Sequence, residues 1–212
     1  MSLENELLEQ RLSRVRELEA LGLRAYGERY DFTHTVPEIH AQYGAKAAQE
    51  LENHRASVRI CGRVQTIRPM GKAGFAHLQQ DGQRLQIYVR KDGVGESDFT
   101  LYRRLDIGDV VGVEGYLFRT KTGELSVHVE KLTHLAKTLL SMPEKWHGLE
   151  DVEMRYRQRY LDLIANPGVR NVFVTRSKIV ASFRRRLEER GFIEVETPMM
   201  QPLYGGASAR PF

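Results

Sequence analysis

Two short stretches set rings and hydrogen-bonding side chains at every second position. In residues 73–80, Ala76 and Leu78 alternate with Phe75 and His77, and in residues 84–90, Leu85, Ile87 and Val89 alternate with Gln86 and Tyr88. Successive side chains of an extended strand point to opposite faces, so the aliphatic set belongs inside and Phe75, His77, Gln86 and Tyr88 outside. A third stretch, residues 125–132, offers Ser126, His128 and Glu130 as its matching outward set. Rings beside an imidazole, an amide and a carboxylate make a poor solvated face. They suit unpaired nucleobases, because a ring stacks on any base while amide and carboxylate groups pair with base edges. Alternation leaves a second possibility open, that the N-terminal helices cover these rings as satellite core. No glycine pattern of a phosphate-binding or dinucleotide-binding loop occurs in the chain. The single cysteine, Cys61, can form no internal disulfide and has no Cys/His cluster around it for zinc, so a reducing cytoplasm is the expected compartment and no metal site is expected.

The elements that must hold these residues follow from periodicity and turn chemistry. Residues 3–21 carry Leu8, Leu12, Val15 and Leu18 at spacings of four and three, an apolar helical stripe, with Arg11, Arg14 and Arg16 off it. This helix either packs its stripe on the rest of the domain or serves as a basic arm along a phosphate backbone. Gly22 stops it. After an irregular stretch to His34, Thr35-Val36-Pro37-Glu38 is a capping box with proline in the first turn, which starts a helix expected to run to about Glu52. Strands are expected over residues 58–67, 73–80 and 84–90. Between the last two, Asp81-Gly82 signals a hairpin of the kind that needs positive φ. Phe99, Tyr102 and Leu105 then recur at helical spacing over residues 96–105, and two further strands, 110–119 and 125–132, follow. Three strands, a helix that plugs the end and two more strands is the order of a five-stranded OB-fold β-barrel.

Beyond the barrel, residues 137–148 read as a linker around Pro143. Residues 155–164 are dense in arginine and tyrosine, and Asn166-Pro167-Gly168 breaks that run. Val169 to Arg190 has Val172, Ile179, Phe183 and Leu187 on one helical face. Gly191 caps this helix in a left-handed conformation, and residues 192–196 alternate as a strand that Thr197-Pro198 ends. Gly205-Gly206-Ala207 is a tight loop. The 212 residues carry a formal net charge of +4 and are 41% hydrophobic, enough for a core and mildly basic, compatible with a polyanionic partner without requiring one. Residues 1–10 lack the basic-then-apolar layout of a signal peptide, and no apolar run approaches the roughly 18 residues of a membrane span, so no membrane partner is expected.

Taken together, these segments resemble one family. Arg190-Gly191-Phe192 after a long helix, followed by Glu194-Val195-Glu196-Thr197-Pro198, resembles the first signature of class II aminoacyl-tRNA synthetases. An OB barrel ahead of it is the layout of the aspartyl, asparaginyl and lysyl subgroup. Met70-Gly71-Lys72, Lys121-Thr122-Gly123-Glu124-Leu125, His147-Gly148-Leu149, residues 155–164, Glu196-Thr197-Pro198-Met199-Met200 and Gly205-Gly206-Ala207 with Ala209-Arg210-Pro211-Phe212 are similar to the bacterial lysyl-tRNA synthetases. Departures are small: Pro202-Leu203-Tyr204 stands where a second proline is commoner, and Ser208 where a small apolar residue is usual. The family's second and third signatures do not occur in these residues.

The resemblance implies an α+β architecture: an N-terminal helical arm (residues 1–56), an OB-fold anticodon-binding domain (57–136), a linker (137–148) and the incomplete start of a class II antiparallel catalytic domain (149–212). It implies a lysine–tRNA ligase whose barrel binds the anticodon loop of tRNA-Lys. Phe75 would stack on a base, Gln86 and Glu130 would read base edges, notably of the central uridine, and Arg68 and His77 would add contacts. Gly205, Gly206 and Ala207 match a loop lining the amino-acid pocket, or remain a plain turn. Arg190, Gly191, Phe192, Thr197 and Pro198 match the dimer-interface signature of a homodimer. Lysine, ATP and Mg²⁺ belong to the full enzyme's reaction. No catalytic or metal-binding residue is expected here, and the 212 residues by themselves are expected to bind ATP poorly and to form no lysyl-adenylate. The reading from a different class is a free-standing OB-fold protein that binds tRNA or single-stranded nucleic acid without catalysis.

Overall fold

A strand that pairs on both of its edges in turn organises the barrel. β1 (Ser57–Met70) pairs antiparallel with β4 (Val110–Arg119) through its first half, from Ser57 opposite Tyr116 to Arg63 opposite Val110. Its second half pairs antiparallel with β2 (Ala73–Gln80), from Arg63 opposite Gln79 to Met70 opposite Ala73. An irregularity between Val64 and Thr66 lies at the changeover, where an extra residue bends a strand and raises its twist. The computed structural model describes residues 3–27, 29–140 and 149–199.

β2 turns into β3 (Gln83–Arg90) through Asp81 at φ 51° and Gly82 at φ 79°, the mirror-image turn whose twist suits a two-residue hairpin. β3 then pairs in parallel with β5 (Leu125–Ala136), and β5 pairs antiparallel with β4. The order β1-β2-β3-β5-β4 closes on itself, which is the five-stranded OB-fold barrel. The alternation expected from sequence holds: Ala76, Leu78, Leu85, Ile87 and Val89 are fully buried, with Ile60, Val64, Val111, Val113, Val127 and Val129. Burying each of these valine, leucine and isoleucine side chains contributes roughly 1.5–3 kcal/mol.

Helices close the two ends of the barrel. α4 (Lys91–Arg104) plugs one end with Phe99, Leu101 and Tyr102, and its chain bends at Gly95, which sits at φ 84°. α1 (Leu3–Ala20) packs at the same end: Leu18 is buried, Arg14 pairs with Asp106, and Arg104 pairs with Glu17 at 2.8 Å. Arg11 donates to the carbonyls of Thr138 and Leu140. Two of the three arginines of α1 are thus spent on intramolecular packing, and only Arg16 points away. The opposite end is covered by α2 (Val36–Tyr43), which begins at the expected Thr35–Glu38 capping box, and by α3 (Ala48–Asn53). The single helix expected over residues 35–52 is therefore two. Gly44 closes the first on the His40 carbonyl, and Arg119 from β4 donates to the Gly44 and Lys46 carbonyls, using the groups that a continuous helix would consume.

Residues 23–27 and 29–34 run along the outside of the β1–β4–β5 side. Gly27 N–H donates to the Leu135 carbonyl, Thr33 N–H to the Arg59 carbonyl, and the Tyr30 ring lies over Gly112. At the end of β5, Lys137 is buried between Asp106 (2.6 Å) and Asp109 (2.8 Å), and Asp109 also accepts from the Thr138 N–H. This network fixes where the chain leaves the barrel.

The chain divides into units of residues 1–165 and 166–212. In the first, α5 (Val152–Arg157) and α6 (Arg159–Ala165) hold Asp162, fully buried, between Arg155 and Arg159. In the second, α7 (Pro167–Glu188) ends as expected at Gly191, φ 84°, with Phe192 N–H donating to the Leu187 carbonyl. Residues 192–196 do not form the expected strand. They run without regular structure, Ile193 is 85% exposed, and no strand among the described residues lies beside them to complete a ladder.

Candidate nucleic-acid interface

The register brings five outward side chains into one row across the whole sheet. Arg68 of β1 stands opposite Phe75 of β2, Phe75 opposite Tyr88 of β3, Tyr88 opposite His128 of β5, and His128 opposite Tyr116 of β4. The rings touch. Phe75 stacks on Tyr88 with centroids 4.7 Å apart and planes 29° apart, and His128 stacks on Tyr116 at 4.8 Å and 12°. Tyr88 meets His128 edge-on at 5.6 Å, and Phe118 fills the angle at 6.0 Å from both. All five rings are half-buried. Because the helices pack at the barrel ends and residues 23–34 on the other side, these rings contact one another, not a helical cover. Arg55, just after α3, lies 3.6 Å over the Tyr116 ring and pairs with Glu130 at 3.2 Å. The Glu130 carboxylate is exposed at the border of the ring row and already neutralised by Arg55.

A backbone glycine makes the row possible. Gly74 precedes Phe75 and faces inward, where a Cβ would stand 2.2 Å from the Tyr102 hydroxyl. Tyr102 lies flat beneath it and donates to the Phe75 carbonyl at 3.0 Å, tying the plug helix to the strand that presents the ring. Burial pushes the Tyr102 phenol to about 12, so it stays a donor at any physiological pH.

One residue pair along the strands lies a polar row: Thr66, His77, Gln86 and Ser126. Alternation puts Gln86 outside, and the structure corrects that reading. Its side chain points outward but is only 8% exposed, because neighbours enclose it. Gln86 Nε2 donates to Glu124 Oε2 at 2.7 Å and its Oε1 accepts from the Ser126 hydroxyl at 2.8 Å. His77 Nε2 lies 3.0 Å from Glu124 Oε1, and its Nδ1 lies 2.7 Å from the Thr66 hydroxyl. In the neutral imidazole this makes Nε2–H the donor to the carboxylate and Nδ1 the acceptor. Glutamine has two amide hydrogens and two carbonyl lone pairs, so one of each remains in a fixed orientation after these bonds.

Glu124, which sequence reasoning passed over, joins His77 and Gln86. It sits in the β4–β5 turn, where its N–H bonds the Thr120 hydroxyl, and its side chain is exposed beyond His77 and Gln86. The signal was within Lys121-Thr122-Gly123-Glu124-Leu125: an acidic residue at the mouth of a tight turn beside the ring face. His128 is held neutral. Burial lowers its pKa first, and the Arg90 and Arg55 charges add to that, so the Tyr116–His128 pair is an uncharged stack at neutral pH.

Of the expected site residues, the fold brings Arg68, Phe75, His77 and Gln86 onto one continuous face, with Glu130 at its edge. Arg190, Gly191, Phe192, Thr197 and Pro198 lie in the second unit at the end of α7 and after it, and Gly205, Gly206 and Ala207 lie outside the described residues. Among the described residues no group of three or more His, Cys, Asp or Glu side chains is arranged to hold a metal ion. No chemical step is assigned to the described residues. No helix among the described residues is long and apolar enough to cross a membrane.

Residues 58–135 match the OB-fold nucleic acid binding domain family, and residues 151–212 match the class II tRNA synthetases of the D, K and N group. Over 208 residues the chain is 52% identical to a lysine–tRNA ligase of Halalkalibacterium halodurans, covering 98% of this chain and 42% of that protein. Along nearly its whole length the chain is similar to lysine–tRNA ligases. It is 51% identical to the Shouchella clausii enzyme of the same name (98% of this chain, 41% of that one) and 49% identical to that of Moorella thermoacetica (99% and 41%). The chain thus spans about two fifths of the length of the curated relatives it matches. The first matched family coincides with the ring-bearing barrel, and the second covers α5 to α7 and the residues after them.

Proposed function

We propose that the β2–β3–β5 face of the barrel binds the anticodon loop of tRNA-Lys, as the RNA-recognition part of a lysine–tRNA ligase. The observation that carries this reading is the row of touching rings from Phe75 to Tyr116, open to solvent beside the fixed hydrogen-bonding row of His77, Gln86 and Glu124. Phe75, at the open end of the row next to Arg68, offers a face for one base. Gln86, oriented by Glu124 and Ser126, offers one N–H and one lone pair to the edge of the central anticodon base, and uracil presents both acceptors and a donor there. Glu124 supplies a second acceptor, while Arg68 meets a phosphate or a base. Glu130 borders the site through Arg55.

The finer readings rest on the family. The whole enzyme would work in the cytoplasm, joining lysine to tRNA-Lys at the expense of ATP with Mg²⁺. It would be a homodimer, with Arg190, Gly191, Phe192, Thr197 and Pro198 in its interface and Gly205, Gly206 and Ala207 lining the lysine pocket. The apolar face of α7, where Phe183 is 67% exposed, supports an interface role. The RNA reading is tested by titrating the isotope-labelled chain with the tRNA-Lys anticodon stem-loop. Resonance shifts confined to the ring and polar rows are expected. Shifts on the β1–β4 side under residues 23–34, or no binding at low salt, would overturn it.

A further inference from the structure

A second feature extends from the ring row toward the plugged end of the barrel. Arg90 lies two residues beyond Tyr88 on β3, and there the sheet gives way to a cavity of about 690 Å³ lined by Tyr88, Arg90, Lys72 and Lys91. A neighbouring cavity of about 540 Å³ shares Lys72, Lys91 and Glu96 with it and continues between α1 and α4 past Arg103 and Arg104. The two form one groove that starts at a ring of the platform and ends on the far side of the β1–β2 turn. Its floor is fixed by the backbone, since the Lys91 N–H donates to the Lys72 carbonyl at 2.9 Å. α4 then bends at Gly95, where φ is 84°.

Charge along the groove is unbalanced. Arg90 pairs with Asp92, Lys91 with Glu96 at 2.6 Å, and Arg104 with Glu17 at 2.8 Å. Lys72 and Arg103 are exposed and take part in none of the ion pairs among the described residues. Two exposed cations outside the ion pairs of the described residues, Lys72 on the lining of both cavities and Arg103 on that of the second, complement a phosphodiester chain in a groove that begins at Tyr88.

The geometry points to this groove as the track of the RNA backbone on one flank of the anticodon, with Lys72 and Arg103 each meeting a phosphate. This rests on the proposed anticodon reading and deepens it, since it names where the strand goes after leaving the rings. The occupant is RNA because the groove is continuous with the ring row and carries surplus positive charge. The groove contributes length-dependent, sequence-independent affinity, whereas the rings and Gln86 contribute selectivity.

The experiment compares two RNAs, the seven-nucleotide anticodon loop as a linear single strand and the complete anticodon stem-loop. Each is titrated against the 212-residue chain and its Lys72→Gln/Arg103→Gln variant over a range of salt concentrations. The variant is expected to bind the stem-loop about tenfold more weakly at low salt. The slope of log K against log salt should shrink by about 0.7 to 0.9 per lost contact. The linear heptamer should change by less than about twofold. A variant with equal charge loss on α7, Lys178→Gln with Arg185→Gln, should bind both RNAs as the parent does. Unchanged stem-loop binding in the groove variant, or an equal loss in the α7 variant, would overturn the assignment. Failure of the anticodon reading looks different: the parent chain would then bind neither RNA, or would bind both without distinguishing the anticodon bases. Both substituted side chains of the groove are exposed, so an unchanged melting temperature is expected alongside.

Discussion

Replacing Phe75 by alanine removes the ring that ends the row and leaves its neighbours in place. The structure sets the size of the effect. One face of Phe75 is already stacked on Tyr88, so the ring offers its remaining face to a single base. Stacking of a base on an aromatic side chain contributes about 1–3 kcal/mol. A half-buried ring with one face free belongs in the lower half of that range, about 1–2 kcal/mol, which is roughly a 5- to 30-fold rise in Kd. The fold should survive. Among the described residues the ring's aromatic partner is Tyr88, and losing one aromatic pair costs roughly 0.5–1.5 kcal/mol of stability. Fluorescence anisotropy with the labelled anticodon stem-loop measures the first quantity, and thermal unfolding the second. Phe75→Leu, which keeps apolar area but not the stacking plane, should recover most of the stability and little of the affinity. Equal affinity of parent and alanine variant, with both folded, would refute the stacking role.

Three further outcomes follow from named contacts. Gly74→Ala puts a methyl 2.2 Å from the buried Tyr102 hydroxyl, so it should lower stability by about 1–3 kcal/mol in urea unfolding and weaken RNA binding by displacing Phe75. Asp106 is held below the usual carboxylate range: burial opposes its charge, but hydrogen bonds and charges from Lys137 and Arg14 outweigh that. A carboxylate with a lowered folded pKa stabilises fully above its unfolded value, about 4, and that stability fades as pH falls through the folded value. The melting-temperature gap between the parent chain and Asp106→Asn should therefore be widest at neutral pH and close at acid pH, and a gap that widens on acidification would contradict the pairing. Phe183→Glu on the exposed face of α7 should reduce self-association in sedimentation velocity, and a parent chain that stays monomeric at high concentration would argue against the interface role.

Most of the barrel was legible before any coordinates, for local reasons. Period-two alternation sorted Leu85, Ile87 and Val89 inward from Tyr88, and Asp81-Gly82 fixed the β2–β3 register, which in turn set Phe75 opposite Tyr88. Gly22 and Gly191 marked helix ends by the conformation they adopt. What escaped was decided by distant residues. The break between α2 and α3 depends on Arg119, some 70 positions later, taking the Gly44 and Lys46 carbonyls. Gln86 follows the outward phase yet is buried, because Glu124 and Ser126 at the start of β5, some 40 positions later, enclose it. The parallel pairing of β3 with β5 is what brings them together, and no local pattern encodes it. Residues 192–196 alternate like a strand, but a strand exists only where a neighbour supplies the ladder. The ring row was half visible: Phe75, Tyr88 and His128 came from alternation, whereas Tyr116 and Phe118 join it only through the register of β4 on β5.

The central claim is that this face reads the anticodon of tRNA-Lys, and base substitution within the anticodon tests it most directly. The chain is titrated with the tRNA-Lys anticodon stem-loop and with the same hairpin carrying cytidine for the central uridine, at one salt concentration. Cytosine reverses the pairing edge, placing an amino donor where uracil has its O4 acceptor and an acceptor nitrogen where uracil has its N3–H, which the N–H and lone pair of Gln86 in their fixed orientation cannot match. A mismatch of that kind costs about 1–3 kcal/mol, so a roughly 5- to 160-fold weaker Kd is expected for the substituted hairpin. Equal affinity for the two hairpins would contradict the claim and leave the barrel as a surface that binds RNA without reading it.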